Sequence, residues 1–420
     1  MRKILIVGAG HSGLHLAHGL LNHGYDVTVI TGQSSKEIRT GRPSVTQVTF
    51  PTALDYEREL HLDFWTGQAP RMTDFKIHLY PPGADPVALK GRTGKGDRYT
   101  VSIDRRIKMA DWLEYFEDSG GKVVIHGVTL TDLDYFSRMF DLIVVAVGSG
   151  ELGALFDADT SRFSGARPRV VAQANIYDVL PDPGESENIG WAASTADAGN
   201  MIFVPFLTTD GPCHSLFLGD KRGGPMDAWP DRPQPEEQWR RMQDLLRKYA
   251  PEYYERVRNA ALVDGNSTLV EYFTPQVRNP VGVLPSGGLV LGIADVVITM
   301  DPFVGQGWNH STRCARSYLK SIVEHGDRPF DEAFLSGAFE RFWQYGLPVQ
   351  RFAELQSTFW DQELPAHFQE LLGAAASYPE IGDRWIQGWD YPPDYEDWLY
   401  DPELARAYLA EVAAAHDGRQ

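Results

Sequence analysis

The chain has 420 residues, of which 43% are hydrophobic and 23% charged, the balance of a folded globular protein long enough for two interleaved domains. Lysine plus arginine number 39 against 57 aspartate plus glutamate, a formal charge of −18; a surface so acidic repels phosphate backbones and anionic lipid, which argues against nucleic-acid and membrane partners. Cys213 and Cys314 stand far apart in no CxxC spacing, so neither a disulfide framework nor a zinc site is expected, and no run approaches the roughly 18 apolar residues of a membrane span.

Met1-Arg-Lys-Ile-Leu-Ile-Val7 looks like the opening of a signal peptide, but Gly8 arrives after four apolar residues and no cleavage site follows; a cytoplasmic protein is expected. Ile4 to Val7 reads instead as a strand buried on both faces of a parallel sheet. Gly8-Ala-Gly10-His-Ser-Gly13 follows at once and opens a helix with Leu14, Leu16, Ala17, Leu20 and Leu21 on its apolar positions, ending near Gly24. Val27 to Ile30 is the next strand. Strand, glycine turn, helix and strand in that order form the context a dinucleotide fingerprint requires, with phosphates at the helix N-terminus. The acidic residue expected after the second strand to hold a ribose is replaced by Thr31 and Gly32, which leaves Thr31 as the candidate. His11, His15 and His18 fall at helical spacing; without an accompanying carboxylate they read as helix-surface histidines rather than a metal face.

Residues 65 to 100 carry Pro70, Pro81, Pro82, Pro86 and several glycines, which predicts loops or short antiparallel strands. Thr93-Gly-Lys95 fails as a phosphate loop, because Leu89 and Gly96 occupy the places of the first glycine and the Ser/Thr of a Walker A motif. A helix beginning within Ser102 to Ile107 runs through Leu113 and Phe116 to Gly120-Gly121. Val123 to His126 and Leu142 to Val147 read as further core strands, the second ending in the backbone turn Gly148-Ser149-Gly150. Residues 168 to 224 alternate in short runs that suit an antiparallel sheet, with Pro205 at an edge or bulge. Glu236 to Arg258 is helical in pattern and broken at Pro251.

Gly288-Leu-Val-Leu-Gly292 is an apolar strand that runs into Asp295, Pro302, Gly305 and Gly307. From Trp308 to His325, Ala315, Tyr318, Leu319, Ile322 and Val323 recur at helical spacing, and Gly326 closes the helix. Glycines at 305 and 307 clear side chains where backbone must approach a ligand, the helix start offers unpaired N–H groups, and Asp295 can accept bonds from sugar-like hydroxyls. A tight turn with a helix cap is the alternative. Residues 331 to 415 are mostly helical, and Trp343, Trp360, Trp385, Trp389 and Trp398 there read as core or interface.

Taken together, Gly8-Ala-Gly-His-Ser-Gly-Leu-His-Leu16, Asp104 and Arg106 before the helix, Asp301-Pro-Phe-Val-Gly-Gln-Gly-Trp-Asn309 and Trp389-Asp-Tyr-Pro392 carry a resemblance. Over nearly its whole length the chain resembles the flavoprotein monooxygenases of the hydroxybenzoate-hydroxylase fold, and most closely the oxygenase component of two-component styrene and indole monooxygenases. The resemblance implies an α/β chain. Residues 1–35, 101–165 and 280–330 would form a Rossmann-like FAD domain of the glutathione-reductase type. It would be interleaved with a mixed or antiparallel substrate domain, 36–100 and 166–279, and followed by a helical region, 331–420.

The same resemblance implies that Gly8, Gly10, Ser12 and Gly13 contact the FAD pyrophosphate and that Arg106 neutralises it. Asp295, following Gly292, would hold the ribityl chain or pyrophosphate side, and Pro302, Gly305 and Gly307 would lie beside the isoalloxazine ring. Arg42 would approach the flavin. Val45, Gln47, Thr49, Pro302 and Phe303 are the substrate-pocket candidates; Gln47 matches the indole-type enzymes and Val45 neither type. Single-component relatives carry an Asp-Gly pair after the strand near residue 147, where this chain reads Ala146-Val-Gly-Ser-Gly-Glu-Leu-Gly153. A separate NADH-dependent reductase would therefore supply reduced FAD, O2 would be co-substrate, and a flavin C4a-(hydro)peroxide would oxygenate a small aromatic or vinyl-aromatic molecule with no catalytic side chain required. A homodimer is the assembly to test. Flavin-dependent N- or S-oxygenation, halogenation or dehydrogenation, and a non-catalytic binding protein of the same fold, are the alternatives; the Trp-x-Trp-x-x-Pro signature of halogenases is absent from the sequence.

Overall fold

A computed structural model describes residues 1–148, 150–165, 167–186 and 188–417. Ser149, at the centre of the turn expected after Val147, lies outside the described residues. Two large sheets organise the chain. The first has six strands in the order Val281–Val283, Leu289–Gly292, Leu142–Val145, Lys3–Val7, Asp26–Thr31, Lys122–Ile125. All neighbours run parallel except the hairpin of the first two. Strand Lys3–Val7 is central, with Val7 beside Ile30 on one side and Val145 on the other. Its run of apolar side chains is buried on both faces, as a parallel strand between helices requires. The strand order reverses next to it, and the crevice above such a reversal is where open α/β sheets bind ligands.

The outermost strand, Lys122–Ile125, departs from the core strand expected of its sequence: Val124 and Ile125 are 42% and 51% exposed. It pairs on one side only, and an edge strand has no neighbour to cover it. The opposite correction applies to His11, His15 and His18, all buried rather than on a helix surface. Helix His11–Asn22 is enclosed by the sheet, by helix Arg105–Asp118 and by helix Gly307–His325, so even its polar positions face protein.

The second sheet has eight strands. Arg169–Tyr177, Gly211–Lys221, Gly199–Thr208, Gly190–Thr195, Asp74–Tyr80 and Val87–Arg92 pair in that order, with Ala261–Leu262 and Thr268–Phe273 flanking the first. Every pairing is antiparallel except that of Gly190–Thr195 with Asp74–Tyr80. Pro205 lies past Phe203, the last residue paired with strand Gly190–Thr195, so it is locally at an edge as a residue without an N–H should be. Along Arg169–Tyr177 the period of two sorts the side chains: Val170, Ala172, Ala174 and Ile176 join a core under helices Pro235–Tyr249 and Pro251–Val257. Arg169, Gln173 and Asn175 therefore face the other way, toward the first sheet, and are buried there. The remaining chain, from helix Glu332–Thr358 through helix Pro402–Asp417, closes over that inner side. Among the described residues no helix is long and apolar enough to cross a membrane.

Candidate functional site

Above the carboxyl ends of the first sheet opens a cleft of about 680 Å³ lined by Gly8, Gly10, Thr31, Arg42, Arg105 and Arg106 among others. The three glycines of the first turn do different work. Gly8 has φ +112°, in the region that favours glycine, and a Cβ there would lie 2.6 Å from Val147. A Cβ on Gly13 would lie 2.5 Å from the Gly8 carbonyl oxygen, so its absence lets the helix pack against the strand end. At Gly10 a Cβ would meet nothing closer than 3.8 Å. The missing side chain at Gly10 thus leaves room on the cleft side, at the uncapped start of helix His11–Asn22.

Arg106 is turned onto Asp104: its Nε donates at 3.0 and 3.2 Å and its Nη2 at 2.7 Å. One Asp104 oxygen also accepts the Arg106 backbone N–H at 2.8 Å, capping helix Arg105–Asp118. Arg105 makes no ion pair at contact distance among the described residues, and its buried Nε makes no hydrogen bond. Its Nη2 would lie 3.9 Å from a Cβ on Gly10. Arg42 also lines the cleft with no ion pair among the described residues. In a chain of net charge −18, two cations without a contact ion pair in one cleft mark a place for an anion.

A narrow pocket of about 50 Å³ continues inward, lined by Gly10, His11, Ser12 and Arg105 from one end of the chain and by Asp295, Gly307, Trp308 and Ser311 from the other. Two glycine-bearing turns some three hundred residues apart therefore meet. Gly305 closes the short turn Pro302–Val304 at φ +65°. Asn309 holds the turn from inside, accepting the Phe50 N–H at 2.9 Å and donating to the Gly305 and Val48 carbonyls at 3.0 and 3.1 Å. Asp295 is exposed to the pocket yet surrounded by chain, and this desolvation pushes its carboxyl up to about 6, against the pull of Arg105.

Beyond the turn lies an apolar cavity of about 40 Å³ between Ile77, Leu79, Ala192 and Ile202 of the second sheet and Phe359, Leu372, Trp385 and Trp389 of the C-terminal helices. Phe303 is part of its lining, with Ser194, Asn200 and Gln356 as its polar members. The turn is fixed from the sheet side as well: Asp301 Oδ1 accepts the Phe303 N–H at 3.0 Å, while Arg169 Nε lies 2.7 Å from Asp301 Oδ2 and Arg169 Nη1 2.7 Å from Asp220. The cleft and the pocket share Gly10, Arg105 and Ala146, the pocket reaches the turn 301–307 at Gly307, and Phe303 of the same turn lines the cavity.

Residues 148–256 match the family model described as "Styrene monooxygenase A putative substrate binding domain". Styrene monooxygenase StyA of Pseudomonas fluorescens and that of Pseudomonas sp are each 25% identical to this chain over 425 residues, covering 98% of it and 98% of the relative. The chain is a styrene monooxygenase-like, FAD-dependent enzyme. Solved structures with the same fold include the flavin-dependent brominase Bmp2, with a TM-score of 0.67 at 15% identity, 99% of each chain being covered. Another is p-nitrophenol 4-monooxygenase PnpA from Pseudomonas putida DLL-E4, with a TM-score of 0.62 at 14% identity over 93% of this chain and 99% of that one.

In this monooxygenase the residues singled out from sequence divide into groups. Gly8, Gly10, Thr31, Arg42 and Arg106 line the cleft; Gly10, Ser12, Gln47, Asp295 and Gly307 line the pocket; Phe303 alone of the substrate candidates reaches the apolar cavity. Gly13 and Gly292 are packing glycines, since a Cβ on Gly292 would lie 2.6 Å from Val297. Thr49 is buried with its hydroxyl 3.3 Å from Lys108, away from the cavity. Val45 and Pro302 line none of the three spaces. Sequence reasoning missed Arg105, Arg169, Trp385 and Trp389. A signal existed for two of them: Asp104 can engage only one of two adjacent arginines bidentately, and Arg169, Gln173 and Asn175 share one face of an otherwise apolar strand.

Proposed function

We propose that this chain is the oxygenase component of a two-component system that adds one oxygen atom from O2 to an apolar aromatic or vinyl-aromatic molecule such as indole or styrene, with reduced FAD delivered by a separate NADH-dependent reductase. The observation that carries the reading is the turn 301–307, which lines with Gly307 the pocket that shares Gly10 and Arg105 with the cation-bearing cleft, and with Phe303 a mostly apolar cavity. A cleft of about 680 Å³ falls within the roughly 300–1,000 Å³ of cofactor sites, and the unpaired Arg105, the open Gly10 and the bare helix start suit a pyrophosphate. Gly8, Gly10 and Ser12 would hold the phosphates with Arg105 and Arg42 as counter-charges, and Asp295 would receive ribityl hydroxyls. Gly305 and Gly307 would let the backbone approach the ring.

When bound and reduced, FAD supplies the activation and transfer of oxygen. The chain's own part is to exclude water and orient the acceptor. At about 40 Å³ the cavity is smaller than the hole of about 150 Å³ that admits benzene into a protein core, so an aromatic ring enters by displacing Phe303, Phe359 or Trp389. Walls that are apolar except for Ser194, Asn200 and Gln356 reward burial of a hydrocarbon face and offer no charged group to bind a carboxylate. The missing Asp-Gly pair at residues 146–153 and the styrene monooxygenase relatives support an external reductase.

Incubation with indole or styrene, FAD, NADH, catalase and an unrelated flavin reductase is expected to give indigo-type pigment or the epoxide. Failure to oxygenate either compound while reduced FAD is turned over would overturn the substrate reading. Rapid NADH oxidation by the chain alone would overturn the two-component reading.

A further inference from the structure

Behind the junction pocket lies a buried charge pair that the proposed chemistry does not use. Glu57 and Lys108 are 0% and 1% exposed, with Lys108 Nζ 2.7 Å from Glu57 Oε1. The same oxygen accepts the Trp308 indole N–H at 2.7 Å, and Lys108 Nζ lies 4.5 Å from the centre of the Trp308 ring. Burial pushes the Glu57 carboxyl up and the Lys108 ammonium down, and each partner opposes the other's shift. Wherever the proton between them sits, the pair has no net charge.

Trp308 is the second residue of helix Gly307–His325, and its ring stacks on the His11 imidazole with centroids 3.5 Å apart and planes 15° from parallel. His11 is the first residue of the other helix facing the pocket. Thr312 Oγ1 donates to the Trp308 carbonyl at 3.0 Å and so accepts from His11 Nε2 at 3.1 Å, a second tie between the two helices. Ion pairs buried this deeply are a weak source of stability, since apolar residues of similar volume often do as well. What the apolar pair could not do is hold an indole N–H.

We propose that Glu57, neutralised by Lys108, is a positioning residue: by holding Trp308 it fixes the Trp308–His11 stack and with it the spacing of the two helix N-termini that face the cofactor. The inference rests on the reading that residues 8–13 and 302–307 hold one FAD. The test compares two double variants by FAD fluorescence titration, visible-region circular dichroism of the bound flavin and thermal melting. Glu57→Leu/Lys108→Met removes the acceptor; Glu57→Gln/Lys108→Met removes the charges but keeps a carbonyl for the indole N–H.

The Leu/Met variant leaves the buried Trp308 N–H without an acceptor, so it is expected to melt below wild type, to bind FAD on the order of tenfold more weakly and to change the flavin dichroism. The Gln/Met variant should recover most of that affinity and the wild-type spectrum. Trp308→Phe should show the same loss as Leu/Met, and combining the two should add nothing. Equal affinity in the two double variants, or additive losses with Trp308→Phe, overturns the proposal. Should the Leu/Met variant not fold, unchanged FAD affinity in Trp308→Phe overturns it just as well. A wild-type chain that takes up no FAD sinks the flavin reading, and this inference falls with it.

Discussion

At the scale of single residues, the two neighbouring arginines show how one carboxylate divides labour. Asp104 occupies Arg106 and leaves Arg105 free beside Gly10. Arg105→Gln is expected to raise the FAD dissociation constant about tenfold, the worth of a charged hydrogen bond, and to leave that for riboflavin, which has no pyrophosphate, unchanged. Equal weakening of both ligands in a fluorescence titration would place Arg105 elsewhere. The glycines give a second contrast. Gly13→Ala puts a carbon 2.5 Å from a backbone oxygen, so the variant should lose stability as well as flavin. Gly10→Ala, with nothing within 3.8 Å, should melt like wild type yet bind FAD poorly, because its new methyl occupies only the space the phosphates would take. A Gly10→Ala protein with normal affinity would rule out that approach of the backbone.

At the scale of elements, helix His11–Asn22 sets an acid limit on the fold. Burial lowers the His18 imidazole from its ordinary value to about 4 and that of His15 to about 3, for His18 against a bond from its Nε2 to the Trp112 carbonyl at 2.9 Å. Unfolded, each takes its proton near pH 6.5; folded, not until well below that, so in between the unfolded chain holds more protons and stability falls as the pH falls. For His18 the loss by pH 4 is about 3 kcal/mol, and His18→Leu should flatten the pH dependence of the denaturant midpoint; an unaltered slope would show that other groups govern acid unfolding. The sequence made this helix legible from its glycine turn and apolar spacing, along with helix Gly307–His325, the antiparallel second sheet and the break at Pro251. Burial was not legible in the same way. Whether His15 faces solvent, or Val124 faces a neighbour, depends on which distant element covers that face, and period alone does not carry that information. The apolar cavity escaped for the same reason: Trp385 and Trp389 pack like any core tryptophan until Phe303 arrives from another part of the chain.

At the scale of the molecule, the site is a seam between two sheets, held by polar residues on the inner face of strand Arg169–Tyr177. Gln173 accepts the Thr46 N–H at 2.6 Å, and Arg169 lies between Asp220 and Asp301. Arg169→Met would leave Asp301 buried without a counter-charge, at an expected cost of about 3–5 kcal/mol in chemical denaturation. Adding Asp301→Asn should recover part of it, because the amide still accepts the Phe303 N–H. No recovery would show that the pair matters through shape rather than charge. The interleaving also has a consequence for biogenesis. Strand Lys3–Val7 leaves the ribosome well before one of its partners, Leu142–Val145, and before Gly307 and Trp308, which wall the slot beside it. A nascent chain thus carries this apolar strand without its second partner until residue 145 is made and without the wall of the slot until residue 307, and contacts of such long range close slowly. Fragments released before Gly307 should collect with chaperones or in aggregates, never as yellow soluble protein.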